Sequence, residues 1–295
     1  MKKIAKTMNI VAGISLALLT SASFAHDNDS NKGMNLKAVG LTEAGYLIHF
    51  HTASPRWAHT LGSVNGFDAA DRYLIGIDFR VQNGLLYGVG NGGGVYSINT
   101  NNAKLSLVSK LSVPLDASKY FGVDFNPAAN RLRVISELGQ NLAHNIDDAT
   151  NGAVPGVTAV NGALNYPAPA APGTIAKGVT GAAYTNNDLA PNGASTATTL
   201  FDIDTVRDQV SLQSPPATGT LSATGKLGVD TDSAVGFDIY SKTQWGVTVD
   251  NFGFASLKVN GNYGLYSISL LTGKASRIDG FNERVVDIAL PVNQH

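Results

Sequence analysis

The chain has 295 residues, with 21 Lys and Arg against 22 Asp and Glu, six His and no Cys. Without cysteine there are no disulfides, thiolate zinc sites or cysteine nucleophiles. The near balance of charge gives no electrostatic footprint for nucleic acid or for an anionic membrane.

The chain begins with a targeting pattern. Lys2, Lys3 and Lys6 precede a short apolar run, Ile10 to Leu19, and Ser23-Phe24-Ala25 places small residues at a cleavage site. Residues 1–25 read as a signal peptide, so the expected location is periplasmic or secreted. The run is shorter than the roughly 20 residues a bilayer span needs, and no later segment reaches that length. No membrane span is expected. Removing the peptide leaves 270 residues with 18 basic and 22 acidic side chains, enough for one buried domain. Residues 26–34 are polar and read as a disordered leader; a single domain is expected over 35–292.

From Leu36 onward, short strand-like runs alternate with Gly, Asn, Asp, Ser and Pro about every 8–12 residues, without long helical periodicity. Leu36 to Leu41, Gly45 to Phe50 and Trp57 to Val64 come first. Then one apolar run recurs: Ile75 to Phe79, Phe121 to Phe125, Thr180 to Tyr184, Val235 to Ile239 and Val285 to Ile288. Four copies carry an aspartate at one fixed place, namely Asp78, Asp124, Asp238 and Asp287, and the third has Ala183 there. Spacings of 46, 59, 55 and 49 residues fit a β-propeller with one blade per repeat.

In the first repeat, Asn83-Gly84 suits a tight hairpin turn. Strands are predicted at Leu85 to Val89, Val95 to Ile98 and Lys104 to Leu111. The second repeat turns at Asn126 to Asn130 and continues at Leu132 to Ile135. The third offers Thr199 to Ile203, Gln209 to Leu212 and Leu221 to Lys226, with their rank in the blade open. Loops 163–178 and 186–197 make it the least regular repeat. The fourth gives Gly236 to Tyr240, Trp245 to Val249, an inserted segment Phe254 to Val259, Leu265 to Ser269 and Ala275 to Ile278. Arg284 to Leu290 closes the chain with no strand after it. It matches the three leading strands that have no Asp-bearing strand before them. Head and tail together make a fifth blade and remove an exposed sheet edge. The predicted fold is an all-β, five-bladed propeller; an open β-sandwich array or two domains would leave those strands unmatched.

The segments GIDFR (76–80), LYGVG (86–90), DFNPAANRLRVIS (124–136), GQN (139–141), AAYTN (182–186), TTLFDID (198–204), LQSPP (212–216) and GFDI (236–239) resemble a family of secreted bacterial proteins known as domain of unknown function 4394. The resemblance runs in order over roughly residues 40–290. Asn130 and Val81 depart from the family's usual Asp and Pro. It implies a propeller-like fold and an extracytoplasmic site, and it implies no activity.

If the repeats ring an axis, Asp78, Asp124, Asp238 and Asp287 form one circle of carboxylates. Such a circle can serve acid–base chemistry or hold a hard cation such as Ca²⁺. It can equally lock blade to blade by accepting backbone N–H groups. Repetition favours the lock, because a catalytic residue is needed once and a packing device in every blade. Arg131 and Arg133, two apart on one strand, can clamp an anion or pair with neighbouring acids. His49 and His51 share a strand face, and with His59 they can form a Zn²⁺ or Cu²⁺ site. A two-residue turn at Ser54-Pro55 would set His59 opposite Phe50, on the wrong face. Asp202-Ile203-Asp204 and Asn145 to Asp148 read as strand ends whose side chains satisfy local backbone groups. No cofactor is otherwise indicated, and no Gly-x-Ser-x-Gly elbow is present.

Two functions follow as expectations. One is a non-catalytic scaffold that binds a small ligand or an extracytoplasmic protein through loops on one face. The alternative is a hydrolase of a carbohydrate, ester or lactone that uses axial aspartates as acid and base or as metal ligands.

Overall fold

A computed structural model describes residues 34–167, 174–189 and 197–294. The expected signal peptide and all of the expected leader but its last residue lie outside the described residues, as do parts of the loops 163–178 and 186–197.

Among the described residues, twenty strands form five four-stranded antiparallel sheets, and these are the blades of a five-bladed β-propeller. Blade 1 holds β4 (Leu74–Arg80), β5 (Leu85–Gly90), β6 (Gly94–Asn99) and β7 (Lys104–Lys110). Blade 2 holds β8 (Phe121–Asn126), β9 (Arg131–Ser136), β10 (Asn141–His144) and β11 (Thr158–Val160). Blade 3 holds β12 (Val179–Tyr184), β13 (Leu200–Asp204), β14 (Gln209–Gln213) and β15 (Leu221–Lys226). Its three later strands thus rank second, third and fourth, which the sequence left open. Blade 4 holds β16 (Thr231–Gln244), β17 (Val247–Val259), β18 (Asn262–Ile268) and β19 (Ala275–Gly280). Blade 5 joins β20 (Val285–Ala289) to β1 (Lys37–Thr42), β2 (Tyr46–His51) and β3 (His59–Ser63). The closure is direct: Val39 faces Ala289 and Leu41 faces Asp287.

The recurrent strands β4, β8, β12, β16 and β20 are innermost and neighbour one another in that order around the axis, β20 returning to β4. Their glycines explain how closely they approach. Gly76, Gly122, Gly181 and Gly236 each stand two residues before the Asp or Ala position. A Cβ on Gly236 would lie 2.4 Å from the Asp287 Cα, and one on Gly122 would lie 2.8 Å from the Ala182 nitrogen. Only a residue without a side chain lets backbone meet backbone here.

Each blade face is apolar because alternate residues of its strands point to the neighbouring blade. Five buried clusters result, one at each blade interface. Phe125, Leu132 and Tyr87 belong to the one between blades 1 and 2, and Phe237, Ile203 and Leu257 to the one between blades 3 and 4.

Two local expectations are corrected. Asn83-Gly84 is not a two-residue turn: Arg80 pairs with Leu85, so four residues turn the chain. The amides of both Asn83 and Gly84 bond the Arg80 carbonyl, and Gly84 alone takes a left-handed φ of 68°. Asn130, in the first hairpin of blade 2, and Asp208, in the second hairpin of blade 3, likewise end four-residue turns, with φ of 50° and 46°. In blade 4, Trp245 to Val249 and Phe254 to Val259 are not separate elements. Trp245 and Gly246 are the turn of one long hairpin, and β17 runs unbroken through Asp250 and Asn251. Asn251 is held there by Asn186 from the loop after β12.

Candidate functional site

An innermost strand pairs on one side only, so half its N–H groups face the axis with no strand to receive them. The aspartates supply the acceptors. Asp78 accepts from its own neighbour Phe79 (2.6 Å) and from Phe125 of blade 2 (2.7 Å). Asp124 accepts from Tyr184 of blade 3 (3.2 Å). Asp238 accepts from Ile239 and from Leu290, both at 2.5 Å. Asp287 accepts from Ile288 (2.9 Å) and returns to blade 1 at Ile77 (2.7 Å). The one unbridged step is from blade 3 to blade 4, where Ala183 packs into an apolar cluster with Phe201 and Phe237. A polar loop takes over there. Asn187 bonds the Ser241 hydroxyl and the Ile239 carbonyl, and Asp188 accepts from Thr248.

Asp78, Asp124 and Asp238 are 6, 1 and 3 % exposed, and each offers an oxygen within 4.8 Å of the others. Among the described residues this is the group placed to hold a metal ion. Burial raises all four ring carboxyls. Asp78 and Asp124 are pushed further by the neighbouring ring charges, and Asp238 reaches about 7. Three carboxylates this close repel one another when all are charged, which favours the protonated form within the ring.

At the starting ends of the innermost strands lies a cavity of about 490 Å³. Leu74, Ile75, Phe121, Val235 and Val286 line it from four blades, and Tyr73, Tyr120, Lys119, Arg72 and Glu43 also border it. Asp78 lies three residues beyond Ile75, about 10 Å along the strand. None of the four ring aspartates lines the cavity. Glu43 is the one carboxylate that does, and Arg284 pairs with it at 3.2 Å.

The other candidates are dispersed. Arg131 pairs with Asp148 (2.9 Å), while Arg133 is buried and spans to blade 3, bonding Tyr184 (3.2 Å), Asn141 (2.6 Å) and Asn161 (2.6 Å). The two guanidiniums thus hold different partners. For His59 the register is corrected. A longer connection with a 3₁₀ turn at Pro55–Trp57 replaces the two-residue turn, and His59 faces His49 rather than Phe50. All three imidazoles therefore share a face, with the rings of His49 and His51 5.5 Å apart. Their nitrogens are not gathered as closely as the oxygens of Asp78, Asp124 and Asp238. Burial and the charges of His51, Lys37 and His59 lower the pKa of His49.

Asp204 satisfies the local amides of Val206 and Arg207 as expected. Asp202 does not: it is fully buried and neither oxygen has a hydrogen-bond donor. Burial raises its pKa well above the carboxylate range, against the pull of Arg133. The cavity escaped the sequence reading because its lining comes from connections far apart in the chain. The run Lys119-Tyr120 just before a repeat was its only local signal.

A search of curated proteins returns no match. Solved structures resemble the fold at low identity. A protein of unknown function from Bacteroides thetaiotaomicron is 12 % identical, with a TM-score of 0.42, over 83 % of this chain and 56 % of that one. An auxiliary nutrient binding protein from the same organism is 13 % identical, with a TM-score of 0.38, over 74 % and 55 %. The chain thus spans little more than half the length of either. The repeat sequence itself is more specific: residues 46–289 match the family described as Domain of unknown function (DUF4394), and the chain belongs to that family.

Proposed function

We propose that this protein is a non-catalytic, extracytoplasmic binding protein whose axial aspartates clasp the blades and whose ligand sits in the cavity above them. One observation carries the reading: seven backbone amides occupy the ring carboxyls, which stand apart from the cavity. A hydrolase needs an acid and a base that reach the substrate. The cavity has one carboxylate, already paired, and no histidine. Its size and mostly apolar floor suit a small molecule. The N-terminal pattern of Lys2, Lys3 and Lys6 before Ile10 to Leu19 supports export.

Calcium is the competing use of the ring. Ca²⁺ takes about six to eight oxygens, whereas five of the six oxygens of Asp78, Asp124 and Asp238 already receive amides. Protons meet the charge problem with less rearrangement.

The test is a thermal-shift screen of small metabolites against the wild type and Val286→Trp, which adds bulk at a cavity-lining position. Compounds that raise the melting temperature of the wild type and lose that effect in the variant support the reading. Hits that stabilise both equally, or turnover of a hit, contradict it.

A further inference from the structure

We infer that the cavity takes an amphiphilic anion: an apolar body on the floor with a carboxylate at the rim, held by Lys119, with Arg72 also on the cavity border. This rests on the binding reading above and adds the chemistry of the ligand.

The floor dictates the body. Leu74, Phe121 and Val235 offer buried hydrocarbon to the cavity, and the one buried polar side chain of the lining, Thr42, is already engaged by the Tyr46 amide (3.0 Å). Each methylene withdrawn from water onto such a floor favours binding. Hydroxyl groups placed there would lose their water without gaining a partner.

The rim dictates the head group. Lys119 and Arg72 border the cavity, and among the described residues neither has a carboxylate within ion-pair distance. Glu43, the one acid on this rim, is met by Arg284. Arg72 is held in place by the carbonyls of Ala69 (2.7 Å) and Asp71 (2.9 Å), contacts that fix its guanidinium without neutralising it. Lys119 has its ammonium 4.9 Å from the centre of the Tyr120 ring, which orients it and leaves its charge in place. Two cations over an apolar floor favour a ligand with one anionic end, and a charge-assisted hydrogen bond is the strongest contact that rim can make.

The test is calorimetric titration of the full mature protein with decanoate, with neutral decanamide and with decyltrimethylammonium, each below its aggregation threshold. Decanoate is expected to bind about tenfold or more tightly than decanamide, the ammonium least of all. Lys119→Glu should lower decanoate affinity by about the same factor and leave decanamide unchanged. Lys119 is exposed, so this variant is expected to fold, and unchanged melting checks that it does. Val286→Trp should weaken both acid and amide. Equal binding of decanoate and decanamide, with both lost in Val286→Trp, overturns the anion inference and leaves the binding reading standing. So does a screen whose Val286-dependent hits include no apolar acid. Decanoate binding that Val286→Trp does not change overturns the placement of the ligand in this cavity. No binding by any of the three probes overturns the inference outright.

Discussion

Asp238 receives one amide hydrogen from its own strand and one from Leu290, just past the strand that closes the ring, and burial lifts its pKa to about 7. The pH dependence of stability follows from that shift. An unfolded aspartate titrates near about 3.9. Between that value and the raised folded value, the native state holds more protons than the unfolded chain. Stability is then greatest at the acid end of this window and is lost as pH rises through the folded pKa. His144 works the other way. Buried between Ser109 and Thr158 and lowered to about 4, it stays neutral in the fold and favours unfolding as pH drops below its unfolded value. It is one group against four ring carboxyls and Asp202. The melting temperature is therefore expected to fall between about pH 5 and about pH 8, measured by calorimetry in buffers of equal ionic strength. A level or rising curve would mean that the ring is ionised and compensated in some other way.

At this scale the sequence was partly legible. The position of the four aspartates came from repetition alone, because every blade faces the same unpaired inner edge. The isolation of Asp202 was not legible. Its neighbours in sequence are strand residues like those around Asp204, yet it is buried without a donor even though the charge of Arg133 reaches it.

Among elements, the inner strands were the most readable. Their Gly-x-Asp pattern encodes two constraints at once, close backbone approach and an axial acceptor. Gly236→Ala tests the first. Its new Cβ would press on the Asp287 backbone, which cannot swing away as a side chain would. A loss of about 1–3 kcal/mol is expected in urea denaturation; an unchanged midpoint would show that the inner strands have room to part. Hairpins were less legible, since turn residues show that the chain reverses and not how many residues it uses. A longer connection moved His59 from opposite Phe50 to opposite His49 and so onto the other face of β3. In blade 4, the two segments Trp245 to Val249 and Phe254 to Val259 proved to be parts of one hairpin, and Asn251 between them bonds Asn186 of the loop after β12.

For the whole molecule, closure was legible because the strand count left three at the head and one at the tail. The pairing of β20 with β1 completes blade 5, and the bond from Asp287 to Ile77 then joins it to blade 1. The cavity follows only from that closure, which sets Leu41 and Val286 beside residues of blades 1, 2 and 4. No local motif encodes such a lining. A proton-bearing clasp also implies that divalent cations are dispensable. Prolonged treatment with EDTA is expected to leave the melting temperature unchanged, and a marked drop would return Ca²⁺ to the ring.

The most direct measurement is the unfolding free energy of Asp78→Ala, Asp124→Ala, Asp238→Ala and Asp287→Ala by urea denaturation. Asp78, Asp238 and Asp287 each leave two amides without an acceptor, and Asp124 leaves one. At about 1–3 kcal/mol per stranded amide, less what is regained by removing a buried acid, all four should lose stability. Asp124→Ala should lose the least. Four variants that unfold like the wild type would contradict the clasp and point to a ring kept for chemistry.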